Sequence, residues 1–512
     1  MKQHEDLAAI RGQRISNLWL QPVFWIGMAL IIGLLIGTQA SQVNLRFVKL
    51  TIGVAFVLTI IRFPSFVSTG LFLILWTTPT GIALGSTNFV FLTFLLISWI
   101  VKATMRIESG PQRTPLDWAI LAYVLAHLLS LTHVGSASLL HSSLDKLRNL
   151  LWPIILFYMI TSLGRSPRRL LFMVEMLTIG MVWVCFTAFM EQFLPNVKYL
   201  PEWYLSVTRA EYLFADLGGR AGGIFRSHDM LSDTMAVMSI LQIYLASYYR
   251  HRPWLRAYHW CLAILFVYTI PLTGNRGGLA ALVAGLFYFL FVYYREVSLK
   301  RIFIGLLILS LVLLIGEMTA TYVVDATLLI RVIETRFERG IPDTRLVVWS
   351  LAWELIKEAP IFGHGPFFDV RDGLLGERIM WPHNAWLFYF YTTGLVGLSA
   401  FLFLCWRVVR KTWVGMGLKV AEISCARGLS ATLHIGIVQF FVGQLRTDHQ
   451  RGDVFAYFMW ILFALGILAR SLYDQERREE PKINVDAPPL VPFAGRSQPA
   501  TRRERSYFHP VS

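Results

Sequence analysis

Residues 302–321 read IFIGLLILSLVLLIGEMTAT, twenty residues whose one charge is Glu317. As a helix this run is ~30 Å long, matching the ~30 Å hydrocarbon core of a bilayer. Lipid offers backbone groups no partners, so a spanning segment must close its own hydrogen bonds, and a helix does so. Similar runs lie near 22–40, 46–62, 64–83, 87–103, 115–133, 149–164 and 169–190 upstream. Others lie near 228–249, 257–274, 277–294, 384–406, 428–446 and 453–470. With the opening run these make fourteen, and twelve if the short second and sixth runs do not span. The sequence predicts an all-α fold, a polytopic transmembrane helical bundle of about 12–14 spans.

Composition agrees. Of 512 residues 55% are hydrophobic and 15% charged, against roughly 25% charged in an ordinary soluble domain. A soluble enzyme and a disordered chain are poor fits. The four cysteines, Cys185, Cys261, Cys405 and Cys425, form no CxxC pair and give neither a disulfide framework nor a zinc site. Lys2, Arg11 and Arg14 precede the apolar run Pro22–Gly37 in the manner of a signal peptide. That run is long for a signal core and many spans follow, so it reads as the first span.

The net charge is +15, from 47 basic and 32 acidic residues. Basic residues fall at every second junction between spans: Arg62; Lys102, Arg106 and Arg113; Arg165, Arg168 and Arg169; Arg250, Arg252 and Arg256. The alternation continues with Arg295, Lys300 and Arg301, then Arg407, Arg410, Lys411, Lys419 and Arg427, and the tail from Arg470. Positive charge collects on the cytoplasmic side, so both termini are expected there, and the basicity reports orientation rather than nucleic-acid binding.

The chain divides into a cytoplasmic N-terminus (1–21), N-terminal spans (22–190), a first non-cytoplasmic loop (191–227), central spans (228–321), a long loop (322–382), C-terminal spans (383–470) and a disordered cytoplasmic tail (471–512). The long loop carries two short amphipathic helices by periodicity. In the first, Leu329, Val332, Ile333 and Phe337 share a face. In the second, Asp343 is the N-cap, Pro360 the stop, and Leu346, Trp349, Trp353 and Ile356 the apolar stripe. Such helices lie in the membrane interface.

Three stretches on the non-cytoplasmic side carry chemistry. Arg220-Ala221-Gly222-Gly223-Ile224-Phe225-Arg226 precedes the eighth span, and taken alone it reads first as a glycine-rich turn with a headgroup anchor. Thr273-Gly274-Asn275-Arg276-Gly277-Gly278 is a tight connection in which an ionisable residue sits between two spans. Pro382-His383-Asn384 opens another span after Gly363-His364-Gly365-Pro366. Two arginines with a histidine on one side suit transfer from a diphosphate-linked donor. Arginine takes the charge that grows on the leaving diphosphate, and histidine accepts the proton of an attacking hydroxyl. No P-loop, HExxH, GxSxG or Rossmann fingerprint is present. A transporter of lipid-linked glycans is the rival reading, and it would place broken helices and ionisable residues at mid-membrane. Only Glu175 and Glu317 approach that depth.

The ordered blocks RAGGIF (220–225), LTGNRGGLAALVAG (272–285), EAPIFGHGPF (358–367) and PHNAWLFYFYTTGLVGL (382–398) resemble the O-antigen ligase and O-antigen polymerase family. The resemblance implies a metal-independent, cofactor-free glycosyltransferase of the type C kind in the bacterial inner membrane. Its expected active site faces the periplasm. Its donor would be an undecaprenyl-diphosphate-linked glycan and its acceptor a glycan or lipid A–core, in lipopolysaccharide or exopolysaccharide biosynthesis, with other polysaccharide-assembly proteins as further partners. It assigns the donor diphosphate to Arg220 and Arg276, with Arg345 a looser match, and activation of the acceptor hydroxyl to His383. Two departures stand out: Ser227-His228-Asp229 where the family has a His-Pro-Asn-like helix start, and Asn275 where it has serine.

Overall fold

The computed structural model describes residues 60, 62–77, 81–82, 85–135, 137–193, 221–225, 227–293, 298–324, 344–366, 382–420, 423–446 and 453–479. The expected spans at 22–40 and most of 46–62 lie outside these residues. So do most of the first loop, the amphipathic piece at Leu329–Phe337, the N-cap at Asp343 and the tail beyond 479.

Within them the regular structure is helical, apart from one antiparallel pair of two-residue strands, Gly81–Ile82 and Gly85–Ser86. The helices are α1 (Ser65–Leu75), α2 (Thr87–Thr104), α3 (Asp117–Ser130), α4 (Ala137–Leu151), α5 (Pro153–Leu163), α6 (Pro167–Phe193) and α7 (His228–Tyr248). They continue as α8 (Pro253–Leu272), α9 (Arg276–Val292), α10 (Leu299–Val324), α11 (Thr344–Glu358), α12 (Ala385–Thr412), α13 (Cys425–Gly443) and α14 (Asp453–Glu479). The helical body runs to Tyr473; residues from Asp474 form a separate unit, of which 474–479 are described and helical.

Seven of these helices are long and apolar enough to cross a membrane, and four shorter apolar ones accompany them. Boundaries follow the punctuation. Pro153, Pro167 and Pro253 each stand at a helix start, where proline's missing N–H costs nothing. The runs expected at 64–83 and 149–164 appear as eleven-residue helices, α1 and α5. Before α5 stands α4, an amphipathic helix that hydropathy did not single out. It buries Ser143, Leu147 and Leu150 and exposes Leu140 and Leu144.

Burial sorts the bundle into layers. α7 and α14 are 89% buried over their apolar windows, whereas α10 is 6% buried and faces outward along its length. α7 is the centre of the half that matters below, with α8, α9 and α13 packed around it. α12 packs against α3, tied by the Tyr123 and Tyr389 hydroxyls at 2.8 Å and by Ser130 Oγ donating to the Thr392 carbonyl at 2.8 Å.

α12 is not one helix. Gly394 has φ 66° and ψ −168°, so residues 385–393 and 395–412 are two segments meeting at a break. A break strands main-chain groups in a place that has no water to satisfy them. The loop after α11 satisfies them. His364 N and Gly365 N donate to the carbonyls of Tyr391 and Thr392 (3.1 and 3.0 Å). In return Leu395 N and Val396 N donate to the carbonyls of Pro360 and Ile361 (2.8 and 3.2 Å).

α11 forms where the second amphipathic piece was expected, but its buried face differs. Val348, Ala352, Leu355 and Ile356 are buried, while Trp353 is half exposed and Trp349 intermediate. Small Ala352 lets α11 lie close on α12, and the larger rings go to its flanks. Trp353 meets Phe390 edge-on, and Trp349 Nε1 donates to the Pro382 carbonyl at 2.7 Å.

Candidate active site

Six helix ends gather at one end of the body: α7, α9 and α12 begin there, and α6, α8 and α13 end there. Each starting helix has a side-chain cap. Ser227 Oγ accepts from Met230 N at 3.4 Å, Asn275 Oδ1 from Gly277 N at 2.9 Å, and Asn384 Oδ1 from Leu387 N at 3.0 Å. Three helix N-termini turned to one region give it a positive bias suited to an anion.

His383 stands just before α12 with φ 47°, a left-handed conformation that costs a side-chain-bearing residue ~1–2 kcal/mol. Its neighbours hold it there. The Pro382 carbonyl accepts from Trp349 Nε1, and Ala385 N donates to the Gln444 carbonyl at 2.9 Å. The imidazole is 31% exposed, with Nδ1 4.0 Å from Oδ2 of the buried Asp229. The other oxygen of Asp229 lies 3.4 Å from His228 Nε2.

Arg276 opens α9 and is exposed. Its turn is locked to α7. Asn275 Nδ2 donates to Ser232 Oγ at 2.6 Å, and Ser232 Oγ donates to the Asp229 carbonyl at 2.9 Å. His383, through Asp229, and Asn275 beside Arg276, through Ser232, are therefore brought to one face of a single helical turn, Asp229–Ser232. The glycines after Arg276 make room for neighbours. A Cβ at Gly278 would strike Ser232, and one at Gly277 would fall on the Arg446 guanidinium.

Arg220 lies outside the described residues, but the stretch after it is fixed. Ala221 N donates to the Leu272 carbonyl at 3.0 Å, four residues before Arg276. Gly222 N and Gly223 N both donate to Oε2 of the buried Glu191 (3.0 and 2.5 Å), and Ile224 N to Thr187 Oγ1 at 3.2 Å. Arg345 lies in the first turn of α11, and its side chain is outside the described part. Among the described residues no group of three or more His, Cys, Asp or Glu is placed to hold a metal.

A family model described as O-antigen ligase matches residues 261–402, which take in Arg276, Arg345 and His383. Residues 261–402 are thus similar to the O-antigen ligase family. A protein of Salmonella typhimurium named O-antigen ligase is 30% identical over 114 residues, 20% of this chain and 27% of its own length. An uncharacterized protein of Haemophilus influenzae is 25% identical over 219 residues, 39% of this chain and 54% of its own. The chain thus spans about a quarter and about half the length of these two relatives.

Four residues of this end were not singled out from sequence: Asp233, Glu191, Gln444 and Arg446. Asp229 figured only as a departure from a motif. Arg446 did leave a trace, since it closes a span on the side where basic residues are sparse.

Proposed function

We propose that the chain is a membrane glycosyltransferase that moves a glycan from a polyprenyl-diphosphate-linked donor, undecaprenyl diphosphate in bacteria, to an acceptor hydroxyl. The observation that carries this reading is the meeting of His383 and the turn that bears Arg276 on one face of α7, at Asp229 and Ser232. The family match over residues 261–402 supports it.

In the proposed step the acceptor oxygen attacks the anomeric carbon and its proton passes to the His383 imidazole. The bond from that carbon to the diphosphate oxygen breaks, and the departing charge is met by Arg276, the α9 N-terminus, Arg220 and Arg345. Diphosphate is a good leaving group, so stabilising its charge and removing one proton are the two tasks left to the protein. Asp229 faces the imidazole and offsets the positive charge the ring acquires. A single displacement inverts the anomeric configuration. The site is assigned to the periplasmic face of the inner membrane with both termini cytoplasmic, on the alternation of basic junctions. The broken α12 does not favour a transporter, because the 360–365 loop occupies the main-chain groups around the break.

The test is glycan profiling of a deletion strain complemented with wild type, Arg276→Ala or His383→Ala. Both variants are expected to fail. Missing long chains on lipid A–core with lipid-linked polymer accumulating identifies a ligase, and accumulating single repeat units identify a polymerase. Full activity in both variants overturns the mechanism. An Arg345→Cys variant labelled from the cytoplasm alone overturns the sidedness.

A further inference from the structure

The Arg446 guanidinium fills the space that a side chain on Gly277 would take. A Cβ on Gly277 would coincide with the guanidinium carbon and both terminal nitrogens of Arg446, so this arginine lies flat on the backbone of the second residue of α9. Its neighbour in the chain of α9 is Arg276, and the two guanidinium-bearing residues therefore flank the first turn of one helix. Arg446 reaches this position from the tight turn that ends α13, where Arg446 N donates to the Gly443 carbonyl at 2.9 Å.

A second cation beside Arg276 and a helix N-terminus is in an unfavourable field unless something offsets it. Asp233 does so from α7: its Oδ1 lies 3.8 Å from Arg446 Nη2, and its side chain is 2% exposed. Gly443 also approaches this carboxylate, since a Cβ there would sit 2.8 Å from Asp233 Oδ2. Asp233 is one turn beyond Asp229, so one face of α7 presents one carboxylate to His383 and the next to Arg446.

We propose that Arg446 is a further donor-binding residue, a guanidinium held by Asp233 over Gly277 to grip the diphosphate together with Arg276. The inference rests on the function proposed above and adds a residue outside the segment matched by the family model. The geometry suits the role. A single carboxylate contact at 3.8 Å uses little of a guanidinium's five N–H donors, and the side chain is 29% exposed. Diphosphate offers several acceptor oxygens, and two guanidinium groups on one helix turn match it better than one. Gly277 then serves to admit Arg446 rather than to loosen the turn.

The experiment measures binding of undecaprenyl diphosphate to the detergent-solubilised full chain, with thermal unfolding followed in parallel. Arg446→Ala removes a counter-charge from the buried Asp233, so it is paired with the double variant Arg446→Ala/Asp233→Asn, which removes both charges. Both are expected to bind roughly tenfold or more weakly than wild type, with Arg446→Lys intermediate. Wild-type affinity in the double variant overturns the inference, because the arginine then serves only to neutralise Asp233. The functional reading fails separately: if wild type does not bind the probe, or Arg276→Ala binds it unchanged, the diphosphate site itself is wrong. Loss of binding in Arg276→Ala with full binding in the double variant condemns the Arg446 assignment alone.

Discussion

Gly363 and Gly394 face each other with no room for a side chain between them: a Cβ on Gly363 would lie 2.6 Å from the Gly394 nitrogen. The approach is reciprocal, since a Cβ on Gly394 would strike the Ile361 carbonyl. Both glycines have positive φ, 69° and 66°. Gly363→Ala and Gly394→Ala are therefore expected to lose ~2 kcal/mol or more each, from strain and collision together. Gly415 also has positive φ, 105°, but nothing lies within 4 Å of its Cβ position, so Gly415→Ala carries strain alone. Thermal unfolding in detergent should rank the first two well below the third; equal losses would show that the glycine contact contributes nothing.

His383 pairs an unfavourable backbone with the side chain proposed as proton acceptor, which allows the two to be separated. His383→Gly relieves the left-handed strain and removes the imidazole. Stability is expected to stay level or rise by about 1 kcal/mol, while transfer falls ~10²–10⁴-fold. A variant that is both stable and active would remove His383 from the chemistry.

Asp229→Asn keeps the shape of the side chain and deletes the charge facing the His383 ring. Turnover is expected to drop about tenfold or more through loss of the counter-charge to the imidazolium, with undecaprenyl diphosphate affinity unchanged. Weaker binding at unchanged turnover would place Asp229 with the donor rather than with the base.

Glu191 Oε2 accepts two main-chain N–H groups from the glycine stretch that follows Arg220. Glu191→Ala strands both, at ~1–3 kcal/mol each where no water replaces the carboxylate. Glu191→Gln keeps an accepting oxygen and should be milder. Hydrogen exchange at residues 221–225 is expected to rise strongly in the first variant and weakly in the second. Unchanged exchange in both would mean that the stretch is held by Leu272 and Thr187 alone.

How much of this was legible in the sequence depends on what hydropathy reports. It reports preference for lipid, and the twelve expected spans from residue 64 onward each found a helix. It is blind to amphipathic α4, whose apolar and polar residues average out, and to the break at Gly394, because TTGLVGL is apolar on both sides of it. The α11 stripe was misread for a related reason. Periodicity located a helix, but the close approach to α12 favoured Ala352 over Trp353. Among the candidate residues, punctuation drew attention to His383 and Arg276: Pro-His-Asn and Asn-Arg-Gly-Gly are caps and turns with ionisable residues inside them. Asp229, Asp233 and Arg446 carry no such marker. Their roles come from pairing between helices far apart in the chain, which no local pattern encodes.

The first segment of α12 is pinned at both ends, by Trp349 on the Pro382 carbonyl and by the 360–365 loop at the break. The imidazole of His383 therefore rides on a short peg, ~13 Å long, seated by main-chain bonds at the break and by the side chains of Trp349, Tyr123 and Ser130 along it. Main-chain bonds tolerate almost any residue, with Gly363 and Gly394 as the exceptions. Residues around the break, the two glycines apart, can thus vary without moving His383, whereas changes at Trp349, Tyr123 or Ser130 should shift it.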